Sequence, residues 1–133
     1  MTQEEKDLLL KDLCSRLPYG VKMINTEPYS DNHNPILILS HISEDNAIGC
    51  RAGKGFMTTS LGSIKPYLFP LSSMTEEQEI EYDATFETIV YEDGRKDSVM
   101  TYKSFDWLNK NHFDYRGLIP MCLAIDATNL NVY

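Results

Sequence analysis

The 133-residue sequence lacks long hydrophobic runs and has few cysteines. Its longest aliphatic run, Ile36–Leu39, is far below the roughly 20 apolar residues that a helix needs to cross a bilayer. Its polar, acidic start is the opposite of a signal peptide's basic and then apolar start. Cys14, Cys50 and Cys122 are odd in number and widely spaced, which fits a reducing compartment better than a disulfide framework. We therefore expect a cytoplasmic protein with no membrane partner.

Basic residues are scarce where acidic ones are most frequent. The formal charge of the chain is −8. The net charges of residues 1–17, 18–74 and 75–133 are −1, 0 and −7 in that order. Residues 75–93 contain eight acids and no base. A chain with this balance repels phosphate backbones over most of its surface, which disfavours a nucleic-acid partner.

The composition is that of an ordinary globular chain. Hydrophobic residues make up 42% and charged residues 24%, so a packed core is expected rather than disorder. The length fits a single domain spanning residues 1–133.

Three helices are predicted from their starts and spacing. Thr2 and Glu5 form a capping box for a helix from about Gln3 to Arg16, whose apolar stripe includes Leu9 and Cys14. Pro18 should end this helix.

Thr75 and Gln78 form a second capping box, and we expect a helix to about Thr88 with an apolar face that includes Ile80. A hairpin or a loop should follow, with Asp93-Gly94 suited to its turn. Ser104 is the predicted cap of a third helix, which runs to about His112.

The segment between the first two helices has the pattern of strands and turns. Short strands are predicted at 20–24, 35–42, 48–51 and 56–61, with a polar loop at 27–35 and an extended or single-turn stretch at 64–70. Near the carboxyl end, the apolar run 118–125 predicts a short turn plus a strand buried on both faces. The predicted fold is therefore α+β: an N-terminal helix, a small antiparallel sheet, with an SH3-like barrel as one option, and a C-terminal helical half that returns a strand.

Three stretches carry a resemblance to known sequences: LLLKDLCSRLPYGV at 8–21, IKPYLFPLSSMT at 64–75 and FDWLNKNHFDYRGLI at 105–119. Together they resemble a family of small uncharacterised proteins from gut anaerobic bacteria, their prophages and other mobile elements. The resemblance implies a cytoplasmic protein of a host or its resident phage, with an accessory or host-interaction role. It implies no activity and no catalytic residue.

A glycine-rich stretch, Gly49–Gly55, is similar to a phosphate-binding loop only in composition. Three residues separate its first glycine from the Gly-Lys pair where that motif needs four, and Gly55 stands where the motif needs Ser or Thr. The stretch instead predicts a glycine-rich turn between two strands.

Motifs for metal binding and catalysis are also absent. The three histidines (His33, His41 and His112) and the three cysteines include no Cys-x-x-Cys and no close His pair, so we expect no metal and no cofactor. Cys14 and Cys122 lie among leucines and are interpreted as core residues.

Two alternative functions stay open on single groups of residues. Cys50 beside Arg51, with His41 or His112 and Asp114, could serve a small enzyme with a cleft. Arg51, Lys54 and Lys65, beside Phe56 and Tyr67, could instead form a weak nucleic-acid site. Asp114 and Arg116 could form a surface recognition pair, although the turn rules favour a structural role for both.

The acidic segment is the strongest asymmetry in the sequence. Solvated helix faces usually carry both signs of charge, because like charges four residues apart are mildly destabilising. The leading hypothesis is a non-enzymatic interaction protein that uses this helix against a basic protein surface. Its candidate contact residues are Glu76, Glu77, Glu79, Glu81, Asp83 and Glu87.

Overall fold

The chain has the predicted α+β fold, with an N-terminal helix packed on a mostly antiparallel sheet. A computed structural model describes residues 1–26 and 36–133, so the predicted polar loop 27–35 lies outside the described residues. The helices are α1 (Gln3–Arg16), α2 (Glu76–Asp83) and α3 (Tyr102–Lys110). The strands are β1 (Lys22–Asn25), β2 (Leu37–Ile42), β3 (Ile48–Ala52), β4 (Gly55–Thr59), β5 (Ile64–Pro70), β6 (Glu87–Val90), β7 (Lys96–Val99), β8 (Phe113–Asp114) and β9 (Ile125–Asp126).

The first five strands form a sheet in the order β4-β3-β2-β1-β5, and every pairing among them is antiparallel. A one-turn 3-10 helix, Leu61–Ser63, precedes β5. The SH3-like barrel named as one option stays a prediction. No pairing joins β4 to β5 among the described residues, so the sheet is open at that point.

The inward face of the sheet and one face of α1 form the main core. Alternate strand residues face inward, because successive side chains of a strand point to opposite sides. The buried cluster includes Leu9 and Leu13 of α1 with Met23, Leu37 and Cys50 of the sheet.

The C-terminal half returns two short strands where one strand was predicted. Both β8 and β9 pair in parallel with β5, at Phe69–Phe113 and Tyr67–Ile125. The run 118–125 is mostly turn, and its Met121 and Cys122 are exposed, so the prediction of burial on both faces is wrong there. Tight turns force some side chains of an apolar run outward.

Helix α1 carries a buried ion pair in the stripe where apolar residues were expected. Thr2 and Glu5 form the predicted capping box, and the buried positions of the helix are Leu9, Asp12, Leu13 and Arg16. Cys14, predicted to be a core residue, is exposed. At the helical period, residues 9, 12, 13 and 16 share one face, and residue 14 lies off it.

The guanidinium of Arg16 is fully buried and joins α1 to the C-terminal half. It donates to both carboxylate oxygens of Asp12, at 2.8 and 3.1 Å, and to the carbonyl oxygen of Phe113 at 2.6 Å. Its Nη1 has no hydrogen-bond partner among residues 1–26 and 36–133, and the Tyr115 ring centroid lies 5.4 Å from its central carbon.

A second arginine completes this network. Arg116 donates to Asp12 Oδ1 at 2.8 Å and to the Ser15 hydroxyl at 3.1 Å. One buried carboxylate is thereby shared by two guanidiniums from opposite ends of the chain. The network fixes where α1 lies against residues 113–116.

We expect Asp12→Ala to lower the free energy of unfolding by about 3–5 kcal/mol, because it leaves the Arg16 charge buried without its carboxylate. The exposed Asp7→Ala on the same helix is the matched control and should stay within about 0.5 kcal/mol of wild type. Urea denaturation measures both. A loss of under about 1 kcal/mol for Asp12→Ala would contradict the role given to this carboxylate.

Candidate functional site

The acidic segment belongs to an extension that contributes nothing to the buried core. We call residues 76–103 the arm: it comprises α2, the β6–β7 hairpin, the connection to α3 and the first two residues of α3, and none of these residues is buried. The arm nevertheless forms a regular α-helix and a paired β-hairpin. A stretch of this length without a buried residue is a candidate surface for another molecule.

Helix α2 begins as predicted and ends earlier. The Thr75 hydroxyl accepts from Gln78 N, and the Gln78 side chain accepts from Thr75 N. The helix ends at Asp83, so the prediction of a helix to about Thr88 is wrong. Residues 88–90 are all β-branched. Residues of this type favour a strand over a helix, and here they pair as part of β6.

The predicted apolar face of α2 is also wrong. Ile80 is 71% exposed, and no residue of α2 is buried. This eight-residue helix contacts α3 through Tyr82 and Glu81, both of which lie against Trp107.

The β6–β7 hairpin has a tight turn, and its two strands pair without a shift of register from Glu87–Val99 to Val90–Lys96. Tyr91 N donates to Arg95 O at 2.8 Å and Gly94 N to Tyr91 O at 2.9 Å, with Gly94 at φ 85°. This is a three-residue turn that requires a left-handed residue, as the Asp93-Gly94 pair predicted. Arg95 pairs with Asp93 at 2.8 Å.

Two sets of contacts attach the arm to the domain. At the base of the hairpin, Thr85 Oγ1 bonds to the hydroxyl of the buried Ser104 at 2.8 Å, and within the arm Thr101 Oγ1 donates to Thr85 O at 3.0 Å. Thr101 is the cap of α3, and Ser104, predicted to be the cap, is instead the third helical residue that completes the capping box.

The second attachment is a row of aromatic rings. Tyr82 lies 5.0 Å from Phe86 and 5.5 Å from Trp107, measured between ring centroids, and Trp107 stacks on Phe113 at 5.5 Å. Burial and the charge of Asp83 raise the pKa of Tyr82. The row connects the arm to the region held by Arg16.

The candidate carboxylates are exposed and carry no ion pair with any described residue. Glu76, Glu77, Glu79, Glu81 and Asp83 lie on α2, and Glu81 accepts a hydrogen bond from Trp107 Nε1 at 3.3 Å. Glu87, expected on the same helix, lies on β6. The anionic surface therefore extends over two elements.

Large apolar side chains are exposed on the same arm, and their exposure was not predicted from the sequence. Val90 is 63% exposed and Tyr102 is 72% exposed. The others, besides Ile80, are Ile89, Tyr91 and Met100. One signal in the sequence could have indicated this exposure, namely the predicted hairpin around Asp93-Gly94. Both faces of a hairpin that lies outside the main sheet can be open to solvent.

The residues proposed for an enzyme are not brought together. Cys50 is buried in the main core, where burial raises the pKa of its thiol, so its expected polar and basic setting is wrong. His41 is exposed, and its ring packs over Gly49, where an added Cβ would lie 2.0 Å from His41 Cε1. Strands β1 and β2 separate β3 from β5, the strand beside His112 and Asp114.

Asp114 has a structural role, as the turn rules favoured. Its two carboxylate oxygens accept from Leu118 N and Ile119 N, each at 2.9 Å. With Arg116 bound to Asp12, these two residues do not form a surface recognition pair.

His112 lies in a partly buried stack rather than in a cleft. Its ring is 3.8 Å from that of Tyr133 and nearly parallel to it, and its Nδ1 has no hydrogen-bond partner in the part of the chain that the structure describes. Burial and the charges of Arg16 and Lys22 lower the pKa of His112 to about 4. The Tyr133 hydroxyl accepts from Lys22 N and donates to Tyr67 O, each at 2.9 Å, and burial raises its pKa.

The proposed basic set is only partly assembled. Arg51 and Phe56 are cross-strand partners, and both are exposed. Lys54 lies in the turn between their strands, while Lys65 lies on β5, three strands from β3. Tyr67, the second proposed stacking residue, is 8% exposed.

Two of the grooves formed by the described residues contain no candidate catalytic residue. One of about 410 Å³ is lined by Lys6, Asp7 and Leu10 of α1 with Asp45, Asn46, Ser60 and neighbours. The other, of about 230 Å³, lies beside the start of α2 and is lined by Phe69, Ser73, Thr75, Gln78, Phe113, Thr128 and Asn129.

Residues 1–26 and 36–133 contain neither a cluster of metal-ligating side chains nor a helix suited to a membrane. Among residues 1–26 and 36–133, no three His, Cys, Asp or Glu side chains are grouped as metal ligands, and His33 lies outside them. No described helix has the length and apolar character needed to cross a bilayer.

Comparison with known proteins gives no relative. No family model matches the chain, and neither the curated proteins nor the solved structures include a significant match.

We expect the stability of the domain to fall as the pH is lowered from about 6.5 to about 4, in part through His112. The folded state holds His112 neutral down to about pH 4, whereas the unfolded chain binds its proton near pH 6.5, so acid favours unfolding. His112→Phe retains a stacking ring and should show a shallower decline. Urea denaturation across this range measures both, and parallel profiles would contradict the prediction.

Proposed function

We propose that this protein is a non-catalytic interaction domain whose arm binds a basic protein surface. The observation that carries the proposal is that residues 76–103 form a complete helix and hairpin without burying a single residue. Folding such a segment orders the backbone at an entropic cost that its own contacts offset poorly. A partner that covers the arm would supply the missing burial.

The chemistry of the arm supports a partner that is both basic and partly apolar. Residues 75–93 contain no base, and the α2 carboxylates carry no ion pair with a described residue. Ile80, Val90 and Tyr102 lie exposed on the same arm. Exposed apolar side chains beside unpaired charge are typical of protein interfaces, in which apolar anchors are surrounded by a polar rim.

A cytoplasmic location and a role in a bacterial host or its phage are part of the same proposal. The three cysteines are all free thiols, and Cys14 and Cys122 are exposed, which suits a reducing compartment. An accessory role fits a small domain in which the residues considered for catalysis lie on separate elements.

Neutralising one face of α2 tests the proposal. Glu76→Gln, Glu79→Gln and Asp83→Asn, combined, should weaken capture of partners from bacterial lysate about tenfold, because three attractive charges are lost. The matched control combines Glu4→Gln, Asp7→Asn and Glu44→Gln, which makes the same charge change at exposed positions outside the arm. The control should capture as wild type does.

Photo-crosslinkers identify the contact surface directly. A crosslinking residue in place of Val90 should give adducts that decline between about 0.1 and 0.5 M salt, since screening weakens exposed charge pairs. The same residue in place of Phe56, exposed on the main sheet, is the control. Equal adducts at both positions, or equal capture by both triple variants, would refute the arm as the binding surface.

A further inference from the structure

The outer edge of β6 is a free sheet edge. Strands β6 and β7 pair only with each other, and no other strand of the described residues joins them. Every residue of β6 is exposed. An unpaired edge presents backbone donors and acceptors that can pair with another strand.

The register identifies which backbone groups point outward. Tyr91 N donates to Arg95 O, so Tyr91 is a hydrogen-bonded position of the antiparallel ladder. Such positions alternate along a strand, so Ile89 and Glu87 also bond inward to β7. The N–H and C=O groups of Thr88 and Val90 therefore face away from the hairpin.

The two edges of the hairpin differ in how well they would accept a strand. The outward positions of β7 are Lys96 and Ser98, and an edge lysine is a common device that blocks strand addition. The outward positions of β6 are Thr88 and Val90, both uncharged and β-branched. Residues of this type favour strand pairing.

We propose that the partner adds to β6 as an extended strand of alternating basic and apolar residues. This inference rests on the proposed function and specifies how the arm binds. In such a strand, alternate side chains would lie toward Glu87 and Ile89 on one face and toward Val90 on the other. Carboxylates at Glu87 and Glu92 favour bases on the partner, and the exposed Val90 favours an apolar neighbour.

A second copy of the chain fits this edge poorly. Pairing two β6 strands would bring two arms together, each with eight acids between residues 75 and 93. Like charges directly opposite in a sheet are destabilising. A basic strand meets no such repulsion.

Two proline variants at opposed positions test the inference. Thr88 and Ser98 are cross-strand partners, and each directs its N–H away from the hairpin. Proline is tolerated where a strand N–H faces solvent, so both variants should keep the hairpin. Thr88→Pro removes a donor from the β6 edge, and Ser98→Pro removes one from the β7 edge.

The probe is an acetylated peptide amide, Lys-Val-Lys-Thr-Lys-Val-Lys, measured by calorimetry. Thr88→Pro should weaken its binding about tenfold through the lost edge hydrogen bond and the altered strand geometry, while Ser98→Pro should bind within about twofold of wild type. The peptide Lys-Pro-Lys-Thr-Lys-Pro-Lys has the same charge and length but cannot pair as a strand, and should bind about tenfold more weakly than the first. Hydrogen exchange should show protection of the Thr88 and Val90 amides in the wild-type complex.

Each alternative result has a distinct meaning. Equal binding of the two peptides, or unchanged binding by Thr88→Pro, overturns strand addition while leaving an arm that binds by side-chain charge. Loss on Ser98→Pro alone assigns the partner to β7 and also overturns it. Concentration-dependent dimerisation of the free protein that Thr88→Pro abolishes would make the occupant a second copy. Absence of peptide binding overturns the inference, and lysate capture then decides the proposed function separately.

Discussion

The arrangement of the whole domain depends on the ion pairs that the buried carboxylate of Asp12 forms with two arginines. This carboxylate bonds to Arg16 one helical turn away and to Arg116 near the other end of the chain. Buried ion pairs often add little net stability, because desolvation offsets their attraction. Their geometric demands are nevertheless strict, since every displaced partner leaves a charge unpaired. Arg16 also bonds to Phe113 O, so the position of α1 specifies that of β8 and of the turn that follows.

This anchor has consequences for the arm. Phe113 stacks on Trp107, and Trp107 contacts Tyr82 of α2. The arm is therefore attached at one end to the region that the Asp12 network joins together, and it is exposed over most of its remaining length. The uncovered helix and hairpin present the α2 carboxylates and the β6 edge to solvent.

Local signals in the sequence predicted most of the elements. The capping boxes at Thr2 and Thr75 correctly located two helix starts, and Asp93-Gly94 located the hairpin turn. The strand pattern between the helices also proved correct in order and position. These features depend on a few neighbouring residues, so the sequence contains the information that determines them.

Predictions failed wherever burial decided the outcome. The leucines around Cys14 and Cys122 suggested a core, yet both thiols are exposed, and Cys50 in its polar neighbourhood is buried. The carboxylates proposed as one helical face are divided between α2 and β6, because the chain leaves the helix at Asp83. The sequence by itself determined the charge asymmetry, the α+β class and the start of α2. Only the tertiary structure decided that the arm stays uncovered and that the edge of β6 is free, because burial and strand pairing depend on residues distant in the chain.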